Sequence, residues 1–200
     1  KLPKVLMLSG PRGSGKSTFI NHFLFSIFDK INYDKNTFNL LNSSIFYKQF
    51  INDIFQNILY LNGAEFKSIK IEEIRNLKLK IQQSSIINKE RFIILNDVEL
   101  FNNHSLNALL KIIEEPNKTD YFILINNKSR PLMDTIRSRS LEYKIILSEN
   151  KKIEIIDQLI KLNNIKPVLD PKLSKLTPGN FLKYNYIFDE HKISTVSKFL

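Results

Sequence analysis

Three short apolar runs, at residues 5–8, 92–95 and 121–125, have the length and the unbroken hydrophobicity of strands buried on both faces of a parallel sheet. Residues 141–146 read as a further strand, and residues 38–41 as another inside the otherwise polar stretch 29–44. Between these the spacing turns helical. Residues 18–28 place Phe19, Ile20, Phe23, Leu24 and Ile27 on one side, and Phe46, Phe50, Ile51, Ile54, Phe55, Ile58 and Leu59 continue a second helix that Asn62-Gly63 ends. Residues 72–83 bury Ile74, Leu77 and Ile81. Residues 105–115 turn Leu106, Leu109, Leu110 and Ile113 inward and stop at Pro116, and a short helical segment follows Arg130-Pro131 as far as Ile136. Strands alternating with helices predict an α/β fold with a parallel five-stranded sheet covered on both faces. After Ser148 only helical patterns remain. Residues 149–162 carry Ile153, Ile156, Leu159 and Ile160, Asp170-Pro171 opens another helix, and Thr177-Pro178 a third. The expected division is a domain over 1–147 and a small helical domain over 148–200.

Residues 10–17, Gly-Pro-Arg-Gly-Ser-Gly-Lys-Ser, fit the phosphate-binding pattern G-x-x-x-x-G-K-[ST] at every fixed position, between a strand and a helix as the motif requires. Gly10, Gly13 and Gly15 allow backbone N–H groups to wrap an anion, and the new helix aims its positive end at the same point. The chain has only five glycines, so three in one loop argues against a chance match. Lys16 would reach the β and γ phosphates and Ser17 would hold Mg²⁺. For Arg12, phosphate contact and simple solvation remain equal readings. The run at 92–95 ends in Asn96-Asp97, where a strand beside the first delivers carboxylates to the metal and the attacking water.

The net charge of +10 suits an anionic partner such as DNA. Lys, Asn, Ile and Phe are abundant throughout, however, so the charge follows a general compositional bias. With no cysteine there is neither a disulfide frame nor a thiolate metal site, and His22, His104 and His191 are scattered. No apolar run approaches the roughly 20 residues of a membrane span, and a cytoplasmic location is expected by default. The chain begins at Lys1 and stops within the apolar pattern of Ile193, Val196 and Phe199, which reads as part of a longer protein.

Two further stretches resemble a known family. Residues 106–116 look like the N-A-L-L-K-x-x-E-E-P helix of DNA clamp loader subunits, and residues 135–140, Thr-Ile-Arg-Ser-Arg-Ser, look like their T-x-x-S-R-C segment with Ser140 for the cysteine. With the phosphate loop, in this order, they resemble the AAA+ domain of bacterial clamp loader ATPases, and the helical tail is placed like the AAA+ lid. The resemblance implies that Gly10, Pro11, Arg12, Gly13, Ser14, Gly15, Lys16, Ser17, Thr18 and Asn127 contact ATP, with Asn127 as the residue that senses the γ-phosphate. Ser17 and Asp97 would serve Mg²⁺. Asp97 would serve hydrolysis, and Arg139 would be a finger inserted into a neighbouring subunit's ATP site. It implies as partners the other clamp loader subunits, the sliding clamp and primer-template DNA, and a C-terminal collar domain absent from this stretch, so that the fragment is expected to be monomeric.

Departures from the family pattern bear on activity. Asn96 stands where an aspartate is expected, removing a unit charge beside Mg²⁺ that is of order ~4 kcal/mol at contact with an effective dielectric near 20. Asp97 is one methylene shorter than the expected glutamate. No zinc module follows the phosphate loop, and residues 177–181 lack the arginine of the lid motif. A damaged hydrolysis site beside an intact finger is similar to the delta-prime type of subunit of the DNA polymerase III clamp loader. A competent motor of the gamma/tau type stays open if Asp97 suffices. A small-molecule phosphotransferase is disfavoured, because residues 149–200 contain no arginine. Bland readings stand beside these: Arg139 as a strand-edge arginine paired to a surface acid, and Asn127 as a loop residue bonding its own backbone.

Overall fold

The apolar runs assemble into a parallel sheet, described here from a computed structural model that covers residues 2–64, 71–82 and 90–193. The chain divides into two units, Lys1–Ser9 with Lys16–Lys144 and Gly10–Gly15 with Ile145–Leu200. In chain order the first unit contains β1 (Val5–Ser9), α1 (Lys16–Phe28), β2 (Tyr33–Asp34), β3 (Asn39–Leu40), α2 (Ile45–Ile51) and β4 (Ile58–Asn62). It continues with α3 (Ile71–Gln82), β5 (Arg91–Asn96), a 3₁₀ turn at Val98–Leu100, α4 (Asn103–Ile113), β6 (Asp120–Asn126), α5 (Asp134–Arg137) and β7 (Leu141–Lys144). The sheet order is β4-β5-β6-β1-β7, and every pairing is parallel.

Side chains alternate across the strands. One face sends Met7, Ile93, Leu95, Phe122 and Leu124 into a core with Ile74 and Leu77 of α3 and Leu106, Leu109 and Ile113 of α4. Phe92, on the other face, meets the rings of Phe23 and Phe28 edge-on. At the N-terminal edge of the sheet a buried ion pair fixes β5 to β6: Arg91 Nε and Nη2 donate to the two oxygens of Asp120 at 2.9 and 3.0 Å. The same guanidinium donates to the carbonyls of Lys80 and Ile81, tying in the end of α3.

The five-stranded parallel sheet agrees with the sequence, but one of its strands is not the expected one. The apolar piece at 38–41 yields only β3, which pairs antiparallel with β2 in a separate two-stranded hairpin. The fifth strand is β4, from a stretch whose spacing predicts helix. α2 stops at Ile51, Asp53 takes a left-handed φ of 55°, and Ile58, Leu59, Tyr60 and Leu61 then register with Phe92 to Leu95 of β5. Phe50 and Phe55 nonetheless pack inward, against Phe25, Tyr33 and Phe46, although Phe55 lies beyond the end of α2. Phe19, expected inward, is exposed, because α1 buries the face of Ile20, Leu24 and Phe25. β7 ends at Lys144, two residues before the expected end.

In the second unit α6 (Glu149–Leu162) and α7 (Pro178–Glu190) pack together, with Ile156 and Phe181 buried. Asn185 joins the intervening loop to α7, accepting from Val168 N and donating to Phe181 O. The helix expected at Asp170-Pro171 is a single turn. Leu173 N and Ser174 N both return to Asp170 O, Lys175 goes left-handed, and Leu173 is exposed, so the segment has no apolar face to support a helix.

Candidate functional site

The phosphate loop leaves β1 at the C-terminal edge of the sheet, where Ser9 pairs with Asn126 at the end of β6. Gly13 has φ +81° and Gly15 φ +89°, both in the left-handed region that a side chain avoids. Gly13 is also crowded: a Cβ there would lie 2.5 Å from Thr177 Oγ1 and 2.7 Å from Asn180 N. Within the second unit the loop is held by two hydrogen bonds, Thr177 Oγ1 to Arg12 O at 2.6 Å and Gly179 N to Gly13 O at 2.9 Å. Thr177 therefore caps α7 without a side-chain bond to its own helix. Ser14 is buried, whereas Pro11, Arg12, Ser17 and Thr18 are exposed. Lys16, the first residue of α1, is only 3% exposed, and the helix it opens favours anions at its N-terminus.

β5 ends in Asn96, and Asp97 then adopts a left-handed conformation (φ 52°, ψ 44°) before the 3₁₀ turn. Its carboxylate is fully buried. Oδ1 accepts from Asn127 Nδ2 at 2.7 Å and Oδ2 from Asn96 Nδ2 at 3.3 Å. Asn96 Nδ2 also donates to Asn62 Oδ1 at 3.1 Å, while the buried Asn96 Oδ1 has no hydrogen-bond partner among the described residues. The ends of β4, β5 and β6 are thus laced by three amides around one carboxylate. Asn127 points at Asp97 rather than folding back on its own backbone.

Sequence reasoning missed Glu99. It lies in the 3₁₀ turn, is 4% exposed, and accepts from Asn127 N at 3.2 Å, Ser129 N at 3.3 Å and Ser129 Oγ at 2.7 Å. This buried carboxylate fixes the loop after β6 and so aims Asn127 at Asp97. The available signal was an acid flanked by Val98 and Leu100-Phe101, where only a satisfied buried carboxylate fits.

Among the described residues no cluster of three or more His, Cys, Asp or Glu could hold a metal alone. The oxygens of Ser17 and Asp97 are hard donors, few in number, which fits Mg²⁺ carried by phosphates rather than a resident ion.

Arg139 is set apart from this group. Its Nε donates to Glu114 Oε1 at 2.7 Å and its Nη1 to Thr135 O at 3.1 Å, so the reading of a surface ion pair is realised within the chain. Nearby, Ser9 Oγ donates to Glu142 Oε1 at 2.5 Å, and this bond, with Arg137 and Lys144 close by, holds the Glu142 carboxyl below the usual range. A cavity of about 380 Å³ borders Ser17, with Ile20, Ile58, Ile94 and Ile125 among its apolar walls. A second groove, of about 360 Å³, runs between α3 and α4 past Arg75, Lys78, His104 and Lys111.

The family model described as DNA polymerase III, delta subunit, matches residues 1–149. The chain belongs to that family. Its relatives are clamp loader subunits of DNA polymerase III, and it is most like delta-prime. It is 30% identical over 105 residues to the delta-prime subunit of Buchnera aphidicola from Baizongia pistaciae, covering 52% of this chain and 31% of that protein. It is 29% identical over 160 residues to the gamma subunit of Buchnera aphidicola from Acyrthosiphon pisum, covering 77% of this chain and 42% of that protein. The chain thus spans less than half the length of either. A DNA polymerase III gamma-subunit-related protein of Thermotoga maritima superposes with a TM-score of 0.54 at 18% identity, over 80% of this chain and 48% of that one, a likeness of fold. The fold is the AAA+ P-loop α/β architecture expected from the sequence. Nucleotide use is implied by these relatives.

Proposed function

We propose that this member of the delta family binds ATP with Mg²⁺ through Lys16 and Ser17, hydrolyses it poorly or not at all, and lends Arg139 to a neighbouring subunit's ATP during sliding-clamp loading at primer-template DNA in the cytoplasm. The observation that carries this reading is the state of Asp97. A carboxylate that must orient an attacking water needs a lone pair directed at it, and each amide already bonded to it restricts where its oxygens can turn. Here both oxygens accept amide hydrogen bonds, from Asn127 and from an Asn96 that stands in place of the expected acid. The loop's bound amides, Lys16 and Ser17 serve holding; bound Mg²⁺ would supply charge neutralisation to the phosphates.

The deciding experiment is titration with a fluorescent ATP analogue beside a steady-state hydrolysis assay, with Lys16→Ala as control. Lys16-dependent binding without turnover is the expected result. Lys16-dependent turnover would instead make the chain a motor of the gamma type, a reading favoured by its similarity to gamma subunits. Contact with DNA is supported by the groove between α3 and α4, which Arg75, Lys78, His104 and Lys111 line with donors of the kind that meet backbone phosphates. Neutralising Arg75 and Lys78 should make DNA binding less sensitive to salt, the slope against log salt falling by roughly one unit for each phosphate no longer neutralised.

A further inference from the structure

Arg139 is anchored from two elements. Glu114, which ends α4, takes its Nε at 2.7 Å, and Thr135 of α5 takes its Nη1 through the backbone carbonyl at 3.1 Å. Both anchors are rooted in the core, since Ile113 and Ile136 beside them are buried. Nη2 donates to nothing among the described residues, and the Arg139 and Glu114 side chains are 38% and 44% exposed. The guanidinium is therefore gripped along its inner side, with its outer end turned free.

We propose that Glu114 is a positioning residue for Arg139, fixing the guanidinium so that its Nη end is presented to the phosphate of an adjoining subunit. The proposal rests on the finger reading above. An arginine that acts in trans must offer its Nη donors end-on, and a side chain with this many rotamers loses freedom on engagement unless something has already restricted it. A carboxylate on Nε restricts it without occupying the end that phosphate needs. Exposure screens the carboxylate's repulsion of the phosphate, and the Nη end lies on the far side of the guanidinium.

The test uses the full-length subunit in a reconstituted clamp loader with clamp and primed DNA, and reads kcat and KM for ATP at the adjoining site. Arg139→Ala should lower kcat by a factor within the roughly 10³–10⁵ seen for fingers in GTPases. Glu114→Ala should lower kcat about tenfold with KM little changed, and Glu114→Gln, whose amide oxygen still accepts from Nε, should stay within about threefold of wild type. The double variant should match Arg139→Ala alone. All variants should melt with wild type, since the pair is exposed. If Arg139→Ala lowers kcat and Glu114→Ala does not, the positioning role is wrong and the finger stands. If Arg139→Ala has no effect, the finger reading itself fails. An increase in kcat for Glu114→Ala, or an equal loss in the Arg139→Ala background, also overturns the proposal.

Discussion

Restoring the expected acid by Asn96→Asp should make the stability of this chain depend on metal. Asn96 Nδ2 lies 3.3 Å from Asp97 Oδ2 and 3.1 Å from Asn62 Oδ1. A carboxylate there replaces two donated hydrogen bonds with an acceptor facing an acceptor and a charge facing a like charge. Two unit charges about 4 Å apart at an effective dielectric of about 20 repel by about 4 kcal/mol. Rotation of the Asn62 amide removes the acceptor clash while giving up the bond that its Oδ1 accepts from Ala64 N, and access of water to the half-buried position lowers the rest, leaving a destabilisation of about 1–3 kcal/mol. At about 2–4 °C per kcal/mol for a chain of this size, the variant should melt about 2–12 °C below wild type in EDTA. Mg²⁺ with ATP should recover much of that difference, because a divalent ion turns the added charge from repulsive to attractive. The assay is thermal unfolding in EDTA, in Mg²⁺, and in Mg²⁺ with ATP. A variant that melts with wild type in EDTA, or that recovers equally when a fourth sample holds ATP with EDTA and no Mg²⁺, would refute the electrostatic reasoning.

Three further outcomes are expected. Glu99→Ala should cost about 2–3 kcal/mol in chemical denaturation, since it leaves the N–H groups of Asn127 and Ser129 without their charged acceptor, and should weaken the analogue titration because Asn127 is no longer held in place. Asp120→Ala should cost about 3–5 kcal/mol by leaving Arg91 buried without its carboxylate, while Arg91→Met with Asp120→Leu should fall much closer to wild type, as denaturant midpoints will show. The Glu142 carboxyl is held below its ordinary value of 4.5, so its contribution is present above that pH and is lost as pH falls through the lowered folded value; Glu142→Gln should flatten acid unfolding in that range.

The parts of this fold that were legible in the sequence are those where one local signal has one structural meaning. The runs of β1, β5 and β6 are buried on both faces and read as unbroken apolar segments, and the phosphate loop is fixed by glycines whose left-handed angles the structure requires. β4 was hidden because Phe46, Phe50 and Ile54 share helical spacing with Ile58, and only pairing with a strand more than thirty residues later selects the extended form. Residues 38–41 carry β character that is satisfied locally by β2, so no sheet position was needed. In the site, Asn96, Asp97 and Arg139 could be named from their motifs. Glu99 belongs to no motif: its apolar flanks mark it as buried, but its partners lie 28 and 30 positions away and belong to no pattern of their own. That Arg139 pairs with an acid was visible only as an alternative, and Glu114 as that acid was not, since two motifs read separately do not state that they touch.

Gly10–Gly15 belong with the helical unit, and this limits how the polypeptide can be taken apart. The chain passes from one unit to the other three times, after Ser9, after Gly15 and after Lys144. A single cut near Lys144 therefore does not liberate an autonomous piece: residues 145–200 expressed alone lack the six that meet Thr177 and Gly179, and the remainder keeps a glycine-rich loop deprived of its ties. Synthesised from the N-terminus, Arg12 emerges 165 residues before Thr177, and so β1 and α1 must be joined through a connection that only the last part of the chain can set.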